Sequence, residues 1–222
     1  MGASEPPQQS VDFQRLAVRW FRLGGPGITV RQFERDQPVY REQDPSASMM
    51  CLDSGTVKIL VDTPDGRECP LALKLPGELL GELCVCGQAR RRESAIALER
   101  ATVRSASPQT FMEFVHRENL THLLLEHLAT ALVRQQRAIA VLLLEPSERR
   151  LAHTLLELSQ RRGCEDGQLP LRLSQQQLGD MIGTTRSRVG LFLKHFRGLG
   201  LVVSYDQHGV HVDRERLEAY CR

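Results

Sequence analysis

The chain has 222 residues, 41% of them hydrophobic, with 29 basic against 27 acidic side chains and a formal net charge of +2. That length and apolar content allow one large or two small packed domains, and the near-balance of charge excludes a polycation, so any nucleic-acid surface has to be local. No run of about 18 apolar residues occurs, which excludes a membrane-spanning helix, and MGASEPPQQS lacks the charged-then-apolar pattern of a secretory signal, so the expected location is the cytoplasm.

Residues 1–10 read as a disordered lead. VDFQRLAVRWFRL, 11–23, spaces its apolar residues as a short helix does. From about 28 to 108 the pattern changes to short apolar or alternating runs (TVKILV, CPLALKL, SAIALE, ATVRSA) separated by RDQP, QDPS, DSG, TPDG and LPGE. Short strands with Gly/Pro punctuation predict an all-β sandwich or roll. Asp65-Gly66 is expected to turn a hairpin, because both residues tolerate positive φ.

From 109 to 144 neither Gly nor Pro occurs, and a single long helix is expected over 109–145. Leu125, Leu128, Leu132, Gln135, Ile139 and Leu142 follow a 3-4-3-4 spacing, a seam suited to pairing with a second copy of the chain. Glu126, Arg134 and Arg137 fall on the other side. The alternative is a helix buried against its own domain. Pro146 ends the helix, and Ser147 is a candidate cap for a following one over 148–162.

Residues 173–200, LSQQQLGDMIGTTRSRVGLFLKHFRGLG, carry the strongest local signal. Ser174 with Gln177 makes a capping box for a helix over 175–182, and Gly183 ends it in the left-handed conformation. Thr184 and Thr185 offer a second N-cap, for a helix running to about Arg197. On that helix Val189, Phe192, Leu193, Phe196 and Leu199 share a face to be buried, with Ser187, Leu191 and Lys194 opposite. Arg186 and Arg188 sit in its first turn. Met181 to Tyr205 holds Arg186, Arg188, Lys194 and Arg197 and no acid. A helix, a tight turn and a second helix with a basic start form a helix-turn-helix, whose second helix enters a DNA major groove. VVSYDQHGVHV, after it, reads as the hairpin wing of a winged helix. Such folds also bind proteins, so an interaction module is the competing reading. No P-loop, Gly-x-Ser-x-Gly or metal-hydrolase spacing points to an enzyme.

With these motifs in place, the chain resembles the Crp/Fnr (catabolite activator) family of bacterial transcription regulators over nearly its full length. LPGELLGELCVCGQARRRESA and LSQQQLGDMIGTTRSRVGLFLKHFRGLGLV carry the resemblance, in the order β-roll, long helix, winged helix, and GTTRSRV is similar to the turn of one subgroup. The fold implied is α+β: a cyclic-nucleotide-binding-like β-roll with its lead helix (11–108), a long dimerisation helix (109–145) and a winged helix-turn-helix (146–222).

The resemblance implies a homodimer on double-stranded DNA with a near-palindromic site, acting with RNA polymerase. Arg186 falls on the family's main base-contacting arginine, with guanine the expected partner. Ser187 stands where many members carry glutamate, and Leu191 where many carry arginine, so a different operator is expected. Thr185 and Arg188 flank the reading arginine. Ser174, Gln175, Lys194 and His195 are phosphate-contact candidates.

For the roll, the resemblance implies a small-molecule effector site. Gly81, Glu82 and Leu83 match the ribose-binding piece of cyclic-nucleotide pockets, and Gln135 and Gln136 the positions that meet the purine. Glu93, however, replaces the arginine expected directly before a small hydroxyl residue, Ser94; Arg91 and Arg92 are near but off that register. A pocket that is empty, or filled by the protein's own side chains, is the alternative. Cys84-Val-Cys86, with Cys51 and Cys69, offers a thiol switch or a soft-metal site, but the dense N-terminal cysteine group of iron–sulfur members is absent. His116, His122 and His127 share no clean helical face and are expected to be solvated.

Overall fold

The computed structural model describes residues 12–62, 68–160, 169, 173–206 and 209–222. The lead over 1–10, the Asp65-Gly66 turn and Cys164 lie outside them. The chain divides into two compact units, up to Val133 and from Arg134.

The first unit opens with α1 (Phe13–Leu23), capped by the Asp12 carboxylate, which accepts from the Gln14 N–H. Eight strands follow among the described residues: β1 (Thr29–Phe33), β2 (Pro38–Tyr40), β3 (Met49–Ser54), β4 (Val57–Asp62), β5 (Glu68–Lys74), β6 (Leu79–Leu80), β7 (Ser94–Ala97) and β8 (Ala101–Ala106), with a 3-10 helix at Glu82–Cys86. They form two four-stranded sheets, β1-β8-β3-β6 and β2-β7-β4-β5, antiparallel throughout. Because side chains alternate along a strand, β3 serves two cores at once. Met50 and Leu52 join Val57, Ile59, Ala95 and Val103 between the sheets. Met49 and Cys51 face the other way, into a core with α1 and α2 (Pro108–Arg117). Phe21 and Phe111, both fully buried, anchor that second core; each such side chain contributes roughly 1.5–3 kcal/mol.

The single helix expected over 109–145 is two. After α2 the backbone turns at Asn119, with φ 56°, and α3 (Thr121–Leu144) begins afresh. Asparagine enters the left-handed region at low cost, so a helix ends here without the Gly or Pro that marks most breaks. Of the α3 side chains only Leu124 is buried. His127 is half-buried, its ring centroid 5.6 Å from that of Phe13, so it is not the solvated residue expected; His116 and His122 are exposed.

In the second unit, α4 (Ser147–Ser159) starts at Pro146 with no side-chain cap; Ser147 is its first residue rather than its cap. α5 (Gln175–Ile182), α6 (Arg186–Gly198) and the antiparallel pair β9 (Val202–Asp206) and β10 (Gly209–Val212) follow. Leu151, Leu155, Leu178, Val189, Phe196, Val202, Val210 and Leu217 are buried in this unit. A last helix, α7 (Arg214–Cys221), is capped by Asp213 and was not foreseen from sequence. No described helix is long and apolar enough to cross a membrane.

Candidate nucleic-acid interface and effector pocket

The helix-turn-helix is built as its sequence dictates. The Ser174 hydroxyl accepts from the Gln177 N–H at 3.2 Å and the Gln177 amide oxygen from the Ser174 N–H at 2.8 Å, completing the capping box. Gly183 closes α5 at φ 65°, ψ 47°. Thr185 caps α6 by accepting from the Arg188 N–H. The turn depends on Gly179: a Cβ there would lie 2.9 Å from the Thr184 carbonyl oxygen. Sequence reading passed over this glycine, because an interior helical glycine shows no sign of the chain folding back onto it.

The two sides of α6 separate cleanly. Val189, Leu193 and Phe196 are buried, while Arg186, Ser187, Arg188 and Lys194 are exposed and Leu191 is 66% exposed. Phe192 is only half-buried, under the Arg188 guanidinium at 5.8 Å, and Leu199 is exposed, so the buried face is narrower than expected. Neither Arg186 nor Lys194 meets an acid among the described residues.

His195 differs. Its Nδ1 hydrogen-bonds Glu148 at the start of α4, a carboxylate that the acid-free window 181–205 did not contain. A carboxylate at that spot opposes a phosphate, so His195 ties α6 to α4 instead. Gln175 is half-buried, its amide oxygen 3.2 Å from where a Cβ on Gly190 would stand, so it packs into the α5–α6 crossing. Tyr205, unforeseen from sequence, donates from its Oη to the Leu173 carbonyl at 3.1 Å and so joins the wing to the residue before the α5 cap. Burial pushes its phenol up, against the pull of the Gln175 N–H and the Arg186 charge.

In the roll, Gly81, Arg91 and Ser94 are buried, and Arg91 is brought onto Gly81. Arg91 is 4% exposed. Its guanidinium lies 4.3 Å over the Tyr40 ring; Nη1 donates to the Gly81 carbonyl at 3.3 Å, and Nη2 to the Ser48 carbonyl at 2.6 Å and hydroxyl at 3.1 Å. The Tyr40 hydroxyl donates to Glu93 at 3.2 Å, and burial together with Glu93 pushes that phenol far up. Ser94 Oγ accepts from the Glu42 N–H at 2.9 Å, and Lys74 holds Glu82 at 3.0 Å. Leu83 and Arg92 are exposed and stand apart from this cluster. Gln135 and Gln136 are exposed on the part of α3 that belongs to the second unit.

The seam residues Leu125, Leu132, Ile139 and Leu142 are 50–61% exposed; Leu128 is half-buried against the first unit's core. The cysteines are dispersed. Cys51 and Cys84 are buried in one core, with burial pushing their thiols up to about 12 and about 11. Cys69 is exposed on β5, in the other sheet, and Cys86 is exposed as the last residue of the 3-10 helix. Among the described residues no three His, Cys, Asp or Glu side chains gather as a metal site would require.

A two-sheet roll, a long helix and a winged helix with a cationic recognition helix define a DNA-binding transcription regulator with a sensor-type domain. Residues 30–118 match the family model for the cyclic nucleotide-binding domain and residues 149–220 that for the Crp-like helix-turn-helix domain. The chain belongs to the Crp/Fnr family of transcription regulators, which are not enzymes. It is 28% identical over 194 residues to the CRP-like cAMP-activated global transcriptional regulator of Mycobacterium tuberculosis, covering 86% of this chain and 87% of that one. It is 25% identical to the nitrogen fixation regulation protein FixK of Rhizobium meliloti, covering 99% and 98%. Among solved structures, FixK2 from Bradyrhizobium japonicum has the same fold, with a TM-score of 0.76 at 22% identity over 86% of this chain and 96% of that one.

A cyclic nucleotide is the ligand this type of roll implies. The residues present do not fit one. Glu93 adds a carboxylate beside the Tyr40–Arg91 pair, accepting from the Tyr40 hydroxyl, and the Ser94 hydroxyl already accepts from the Glu42 N–H. The nearest guanidinium, Arg91, already donates to protein oxygens.

Proposed function

We propose that the chain works as a homodimer that reads a near-palindromic DNA site, one α6 per half-site, and thereby controls transcription by RNA polymerase in the cytoplasm. The observation that carries this reading is the polarity of α6. Val189, Leu193 and Phe196 on its apolar side are buried by packing, while Arg186, Ser187, Leu191 and Lys194 are exposed on the other side with no acid among the described residues paired to the cations. Arg186, in the first turn, is the base reader, its planar fork matching guanine O6 and N7. Leu191 is placed to meet a thymine methyl. Lys194, Ser174 and the amide groups at the start of α5 hold phosphates and set orientation.

The exposed apolar stripe of α3 supports the dimer, since such a stripe on a helix with one buried residue is stabilised by a second copy. Pairing there would space the two α6 helices by about one DNA turn, on the order of 34 Å. The working division is a lead (1–10), a sensing roll (11–108), a dimerisation segment centred on α3 and a reading domain (146–222). The turn GTTRSRV, residues 183–189, supports assigning the chain to the subgroup with that recognition-helix start, and Ser187 and Leu191 give it an operator different from that of members with glutamate and arginine there. A signal at the roll would act by biasing α3 between two arrangements. Selection of duplexes from a random pool by the purified protein tests the proposal. Enrichment of a two-fold site with guanine at the position lost on Arg186→Ala supports it; a pool left unenriched contradicts it.

A further inference from the structure

We propose that Arg91 is a built-in occupant of the roll's effector site, and that it shuts the site to cyclic nucleotides. The juxtaposition that carries this is Arg91 on Gly81. A Cβ built at Gly81 would fall 2.1 Å from Arg91 Nη1 and 3.1 Å from the Ser48 carbonyl, so the guanidinium lies flat against the glycine that opens the 3-10 turn. That glycine is held at φ 74°, a left-handed conformation, and its carbonyl accepts from both the Cys84 N–H at 3.1 Å and Arg91 Nη1.

Three further contacts fix the side chain. The Tyr40 ring supplies a π face, the favoured platform for a desolvated guanidinium. The Ser48 carbonyl and hydroxyl take the second amino group. On the main chain, the Arg91 N–H donates to the Asp44 carbonyl and the Gln43 N–H to the Arg91 carbonyl, so the backbone cannot swing the arginine out without breaking two bonds.

The electrostatics point the same way. A buried cation needs compensation; here it comes from carbonyl dipoles, the aromatic face and the nearby carboxylates Glu82 and Glu93. A phosphodiester entering this space would have to displace the guanidinium from its oxygens and then face Glu93. Both amino groups of Arg91 are therefore already bonded from within, its buried Nε alone lacking a partner among the described residues, and the Gly81 carbonyl that opens the turn Glu82–Cys86 is tied down without any added molecule. The claim concerns the roll alone and is tested without DNA, so its failure leaves the reading of α6 untouched.

The test has two arms. Isothermal titration and thermal shift of the full chain with cyclic AMP and cyclic GMP, up to about 1 mM, should show no saturable binding; saturable binding by the wild type overturns the proposal. Hydrogen exchange of the 81–86 amides should then speed up by roughly tenfold or more in Arg91→Met, which keeps the volume and loses the fork, while the second unit's amides are unchanged. Unchanged exchange at 81–86 also overturns it. Should Arg91→Met not fold, Gly81→Ala, which displaces the guanidinium by its Cβ, is read the same way, and the wild-type titration decides independently of either variant.

Discussion

In the roll, Arg91 is buried over Tyr40 and donates to two main-chain carbonyls; in the winged helix, Arg186 stands exposed in the first turn of α6 with no acidic partner among the described residues. The roll pairs several of its charges with one another. Asp53 takes Arg104 at 2.8 Å and Arg22 at 2.9 Å, whose hydrogen bonds outweigh the effect of burial and hold its carboxyl below the usual range; Lys74 takes Glu82, and Lys58 takes Glu68. On the outward side of α6 the cations are left over. A guanidinium already bonded by the protein has little to offer a ligand, whereas one held out by a packed helix is free to bond whatever docks there. The two regions thus assign the same chemistry to stability in one place and to recognition in the other.

The comparison breaks most severely if the free cations are not presented in pairs. Leu132→Glu or Ile139→Glu, on the exposed stripe of α3, is expected to give monomers by sedimentation velocity and to cost DNA affinity by two or more orders of magnitude, because half the contacts go with the partner. Next, Arg186→Ala should cost about 1–3 kcal/mol at the selected site, roughly 5- to 160-fold by fluorescence anisotropy at fixed salt, and flatten preference at one base pair per half-site. The corresponding change in the turn, Gly179→Val, pushes a side chain onto the Thr184 carbonyl and should lower stability by ~1–3 kcal/mol, seen as a depressed melting temperature. Lys194→Ala should leave base preference intact and reduce the slope of log K against log salt by about 0.9 per chain.

The smallest effect belongs to the thiols. Cys51 and Cys84 should resist maleimide near neutral pH while Cys69 and Cys86 react, as mapped by peptide mass spectrometry. Folded-state values raised to about 12 and about 11 mean that the folded chain keeps protons the unfolded chain sheds from about pH 8.5 upward. Their contribution to stability is therefore complete below that pH and is lost as pH rises towards those values, a fall that urea titrations at pH 8 and 10 would register.

The helix-turn-helix was legible in the sequence because its signals are local. Ser174 and Gln177 are three residues apart, Gly183 and Thr185 mark an end and a start, and the 3.6 period separates Val189, Leu193 and Phe196 from Arg186 and Lys194. The roll was legible as a class for the same reason, through Gly/Pro punctuation between short apolar runs. What stayed hidden is non-local. Glu148 reaches His195 from 47 residues upstream, Tyr205 bonds Leu173 from 32 downstream, and Arg91 reaches Ser48 across 43. Counting register from Ser94 put Arg91 near the pocket but off the phosphate position; it follows the Pro45–Arg90 bridge, and its long side chain turns inward onto Gly81. The break at Asn119 was missed because asparagine is a weaker mark of a left-handed turn than glycine.

The most direct test of the central claim is the mass and selectivity of the complex formed by the wild-type chain with its selected duplex, read by sedimentation at fixed salt beside the same duplex with one half-site scrambled. The expected result is two chains per intact duplex and at least tenfold weaker binding to the scrambled one, about 1.4 kcal/mol. One chain per duplex, or equal affinity for both DNAs, would contradict it.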